Sequence, residues 1–155
     1  MNRRNLALSV TVALVMGSIG AGAVRAGGPT REGGSFTETF FDEFIFDLCG
    51  IETLTTQTQR WSVKEYPDGS AVVHVVRTFV SDDPRLPIEK GAATSFIAPD
   101  GTRRVVGKPI QLIGPKGGVR ILDAGWIELD EFDNPIAMRG PHPSFGAELA
   151  PYYCP

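Results

Sequence analysis

Apolar and polar residues alternate over most of the chain, and turns bearing glycine and proline break the alternation at short intervals. Two of these turns match. "YPDGS" (66–70) and "APDGT" (98–102) each place Pro, Asp and Gly between alternating runs. Proline presets φ at the first turn position, aspartate accepts the next, and glycine takes the positive φ that closes the turn. Both predict tight hairpins. If Tyr66 pairs with Ser70, then Val63 faces Val73 and Trp61 faces Val75 on one side. Arg60, Ser62 and Lys64 fall on the other side, opposite Val76, His74 and Val72. One face is wholly apolar and the other mixed, as a half-buried sheet requires.

The second hairpin runs over 93–98 and 102–106, and Gly107-Lys108-Pro109 then predicts a bulge or bend. "IQLI" continues the strand, "GPKGG" turns it, "VRILDAGWIEL" returns, "DEFDNP" turns again and "IAMRG" is a last short strand. Upstream, Phe44, Phe46 and Leu48 alternate with Ile45, Asp47 and Cys49, which predicts a further strand. "SFGAELA" near the end suits a single turn of helix. The pattern is all-β, an antiparallel meander of seven or eight strands. Sequential hairpins favour closure into a small barrel, which removes open edges; the alternative, a β-sandwich, needs longer crossovers.

The first residues follow a different plan. Arg3 and Arg4 precede an apolar run of 14 residues, Leu6 to Ile19, and small residues follow to Ala26. This is the layout of a cleaved export signal over 1–26, with cleavage after Ala26 or Ala23. The run is shorter than the roughly 20 apolar residues of a membrane span. The expected location is secreted or periplasmic, by the general route or, given the arginine pair, the twin-arginine route. Residues 27–34, rich in glycine and polar residues, are expected to be a disordered lead-in to one domain over 35–155.

Removal of 26 of the 155 residues leaves 129, with 12 basic residues against 18 acidic ones and a net charge of −6. That balance argues against nucleic acid and against an anionic membrane as partners, because both need a basic footprint. After cleavage no membrane span is left, and the protein is expected to be a monomer.

Cys49 and Cys154 are the only cysteines. In an oxidising compartment an even count implies pairing, and two cysteines allow one bridge. It would close a loop of 105 residues and pin the tail "PYYCP". No zinc signature, phosphate loop, nucleophile elbow or dinucleotide fingerprint occurs, and neither a metal nor a cofactor is expected. The acidic residues Asp123, Glu128, Asp130, Glu131 and Asp133 match no calcium-loop spacing and suit solvated turns. Arg103 and Arg104, beside a turn, suit a solvent-facing position. His74, on the mixed face, and Glu128, in phase with Trp126, are each a candidate acid/base group inside a barrel. His142, flanked by prolines, suits a structural loop.

The order of "CG", two "DG" turns, "GPKGGVRILDAG", "GPHP" and a final cysteine resembles small exported bacterial proteins of unknown function. These are similar to eight-stranded barrels of the lipocalin or allene-oxide-cyclase type. The resemblance spans 44–155 and implies a barrel fold. Together these features lead to an expected binding module for a small apolar ligand, non-enzymatic, with Trp61, Val63, Val73 and Val75 lining the interior. A cyclase- or isomerase-like enzyme using His74 or Glu128, and a cell-envelope interaction protein working through its outer surface, are the alternatives.

Overall fold

The structure, a computed structural model, describes residues 28–155. The export signal expected over 1–26 lies outside them. Seven strands form one antiparallel sheet in sequence order: β1 (Thr30–Phe41), β2 (Leu54–Glu65), β3 (Ala71–Ser81), β4 (Ile88–Ile97), β5 (Arg103–Ile113), β6 (Val119–Leu129) and β7 (Pro135–Arg139). A short helix α1 (Glu43–Cys49) joins β1 to β2, and a 3-10 turn (Pro143–Phe145) and helix α2 (Ala150–Tyr153) end the chain.

The meander is as the pattern predicts, but the sheet does not close. β1 pairs only with β2 and β7 only with β6, so the expected barrel seam is not formed. A sandwich is not formed either, since all strands share one sheet. The lead-in also differs: residues 30–34 belong to β1 and pair with β2 along its whole length. Paired backbone groups order this glycine-rich stretch in spite of its composition.

The hairpin registers follow the turns. Trp61 pairs with Val75, Ser62 with His74 and Val63 with Val73. Tyr66 donates its N–H to the Ser70 carbonyl at 2.9 Å, and Ala98 does the same to Thr102 at 2.8 Å. Asp68 and Asp100 each accept the backbone N–H two residues on, at 2.9 Å, and Gly69 and Gly101 hold φ of 86° and 88°. The sequence around Gly107-Lys108-Pro109 is indeed irregular, with register shifts on both sides of β5.

The segment 43–49 is helical, which corrects the predicted strand. Asp42 caps it by accepting the Ile45 N–H at 3.0 Å, and Gly50 closes it in the left-handed region at φ 68°. The residues it turns inward are Ile45, Leu48 and Cys49, spaced i, i+3 and i+4. Phe44 and Phe46 remain partly exposed, at 37% and 43%. The caps and this helical spacing outweigh the alternation of Phe44, Phe46 and Leu48.

Cross-strand register assigns every strand residue to one of two faces. The inner face carries the core. Val105, Ile110, Leu112, Ile121, Ile127 and Leu129 are all buried there. Ile45 of α1, Leu86, Leu149 and Tyr153 pack over Ile110, Leu112 and Ile121, so α1 and the tail cap one end of this face. Val105, Ile127 and Leu129 form a second cluster with Ala93. Near this cluster Gly125 and Gly140 let β6 meet the end of β7: a Cβ on Gly125 would lie 2.0 Å from the Arg139 carbonyl oxygen. Cys49 and Cys154 form the expected disulfide, with a Cα–Cα distance of 5.5 Å. It joins α1, rather than a first strand, to the residue following α2.

Candidate functional site

The hairpin of β2 and β3 sets Trp61, Val63, Val73 and Val75 side by side on the inner face, all half-buried. These are the four residues predicted to line an interior. Gly34 of β1 lies opposite Trp61, and a Cβ there would approach the indole to 3.3 Å, so glycine leaves room for the ring. Phe36 stands next on β1, 39% exposed. The patch of Trp61, Val63, Val73 and Val75 on the β1–β3 half of the inner face is therefore apolar and only partly covered, with Glu32, Glu38 and Glu65 around it, whereas the β5–β6 half is sealed.

The strip ends in polar groups toward the cap. Gln59 and Gln57 continue β2 beyond Trp61, and Gln57 donates to Gln59 at 3.1 Å. Arg77 faces Gln59 across the ladder and lies 3.5 Å from Glu89. The Tyr153 hydroxyl donates to the other Glu89 oxygen at 2.6 Å, and the Phe44 ring packs edge-on to Tyr153 at 5.1 Å. Burial, and secondly the Glu89 charge, pushes the Tyr153 phenol well above its ordinary range. Tyr153 is thus a fixed donor and not a base. Asp123, wholly buried, accepts hydrogen bonds from the Ser144 backbone N–H, at 3.1 Å, and from the Ser144 hydroxyl.

This polar end was missed in the sequence, because Arg77, Glu89, Asp123, Ser144 and Tyr153 share no spacing. Only their parity on the strands hints at a common face. The arrangement can hold a molecule with an apolar body and one polar end. It offers no free nucleophile beside a base.

His74 and Glu128 are not inside. Both sit on the outer face, His74 exposed with Nδ1 3.0 Å from the Thr94 hydroxyl, and Glu128 ion-paired with Arg104 at 3.1 Å. The period of two places them opposite the core residues, so the interior acid/base role is overturned. Arg103 corrects a second expectation. Its guanidinium is largely buried and lies 2.8 Å from Asp133, while Arg104 is exposed as expected. His142 donates from Nε2 to the Arg139 carbonyl at 3.2 Å and stacks edge-on with Phe145.

The acidic turn is accounted for by its own hydrogen bonds. One Asp130 oxygen accepts the N–H groups of Phe132, at 2.9 Å, and Asn134, at 2.8 Å. Among the described residues no group of three or more acidic, histidine or cysteine side chains converges as a metal site, and no helix is long and apolar enough to cross a membrane. Comparison with protein families, with curated proteins and with solved structures finds no match.

Proposed function

We propose that this protein is an exported, non-enzymatic binding module that takes a small apolar ligand on the inner face of its sheet. The observation that carries the reading is the contrast between the two halves of that face. The β5–β6 half is sealed by its own side chains, while Trp61, Val63, Val73 and Val75 remain half-covered beside an exposed Phe36. Large apolar groups left partly wet across an ordered strip favour an occupant that removes them from water. Gln59 and Arg77 suit a polar end group on that occupant. The disulfide supports export to an oxidising compartment. An open sheet serves this role without the barrel seam.

Titration with the neutral apolar dye N-phenyl-naphthylamine, followed by dye emission, tests the reading. Saturable binding is expected, with Trp61→Ala weakening it by tenfold or more and Arg104→Gln on the opposite face leaving it unchanged. Absence of saturable binding, or equal affinity in Trp61→Ala, would refute it.

A further inference from the structure

The net charge of −6 over residues 27–155 hides a partial separation by face. Of the charged strand residues, the acids lie almost wholly inside: Glu32, Glu38, Glu65, Glu89 and Asp123 share the inner-face parity. Most of the cations lie outside, with Arg77 and Arg103 the inner-face exceptions. β1 and β2 contribute Arg31, Arg60 and Lys64, and β5 and β7 contribute Arg104, Lys108 and Arg139. Lys90 of β4 adds a seventh. Glu128 is the one outer-face carboxylate on the strands, and Arg104 occupies it. Most of the remaining acids sit in turns and loops at the ends of the sheet.

Between the two cationic flanks the outer face carries exposed apolar side chains interspersed with His74, Thr78, Lys90 and Thr94. Val76 and Val80 of β3 are 41% and 42% exposed, and Phe96 of β4 is 49% exposed. Val106 of β5, 39% exposed, pairs with Thr94 beside Phe96. Neighbouring strands lie about 4.8 Å apart, so β2 and β5 are roughly 15 Å apart with these residues between them. We propose that this face docks on an anionic phospholipid bilayer, with the flanking cations at the headgroups and Val76, Val80, Phe96 and Val106 at the acyl boundary. This is independent of the ligand strip, which lies on the other face.

The exposed apolar side chains decide between partners. A soluble polyanion such as a nucleic acid would use the cations but gain nothing from exposed valines. Trp126, the face's largest ring, already carries the Arg104 guanidinium 4.9 Å from its centre and is not open for base stacking. A second copy stacked face to face would oppose like charges. A lipid surface uses both features at once, attracting each cation and taking up the apolar side chains.

Flotation of the oxidised protein with vesicles tests this. We expect binding to phosphatidylcholine vesicles containing 30% phosphatidylglycerol, weak binding to pure phosphatidylcholine, and loss of binding as salt rises. Arg60→Gln and Lys108→Gln should each weaken it roughly fivefold. Phe96→Ser should weaken it as well, while Arg85→Gln and Lys116→Gln, off the face, should leave it unchanged. All these side chains are exposed, and an unchanged thermal midpoint establishes that the variants fold. The salt and lipid series on the unaltered protein does not depend on them. Equal binding to neutral vesicles, indifference to the outer-face substitutions, or duplex DNA that binds the same face without loss in Phe96→Ser would overturn the proposal.

Discussion

Tyr153 lies two residues from the C-terminus, yet its hydroxyl ties the tail to Glu89 in β4. A hydrogen bond to a charged acceptor contributes about 1.5–3 kcal/mol. Tyr153→Phe should lower unfolding free energy by that order in urea titration. Its pH signature is separate. The folded phenol titrates above the unfolded one, so its contribution is complete below about pH 10 and declines as pH rises further. The native protein should therefore lose stability steeply above pH 10, and Tyr153→Phe should flatten that slope. The turn aspartates have the opposite sign. Hydrogen bonds from Ser70 and Thr102 hold Asp68 and Asp100 below the ordinary carboxylate range. Asp83 is held at about 2, chiefly by the Arg85 side chain. Their contributions are present above about pH 4 and fade as pH falls through the depressed values. Asp100→Ala should reduce the acid sensitivity of the midpoint.

Among the elements, α1 was the least legible. Its alternating phenylalanines imitate a strand, and its helical signals are the two caps, Asp42 and Gly50. Asp42 also accepts from the Thr55 hydroxyl at 2.6 Å, so it joins the helix to β2. Asp42→Ala should cost about 1 kcal/mol or more, measured by denaturant unfolding. The hairpins were legible because each turn carries its own chemistry within five residues. The bend of β6 toward β7 was not, since nothing local shows that Gly125 sits against the Arg139 carbonyl at φ 120°. Gly125→Ala combines a clash with a strained backbone and should destabilise by more than about 2 kcal/mol. Differential scanning calorimetry would show this as a lowered midpoint.

At the scale of the whole molecule the disulfide and the sheet edges matter most. The bridge closes 105 residues, and chain entropy assigns such a loop about 4–5 kcal/mol as an upper figure. Cys49→Ser should lose a substantial part of that. It should also expose the tail to limited proteolysis after α2, because α1 and the tail hold each other over the inner face. Retention of both stability and protection would show that the core cap alone fixes the tail.

The sequence by itself determined the antiparallel meander, the β2–β3 register and the cysteine pair, but not β1 or helix α1. These rest on turn chemistry, on a period of two and on counting, all of which are local. It also determined which residues share a face, and hence that Trp61, Val63, Val73 and Val75 stand together. Only the tertiary structure decided that the sheet stays open, that His74 and Glu128 look outward, and that Arg77, Glu89 and Tyr153 meet at one end. Parity gives two faces but does not say which one the cap and tail will cover. That choice depends on contacts between residues far apart in the chain, and so does the separation of charge that a net value of −6 over residues 27–155 conceals.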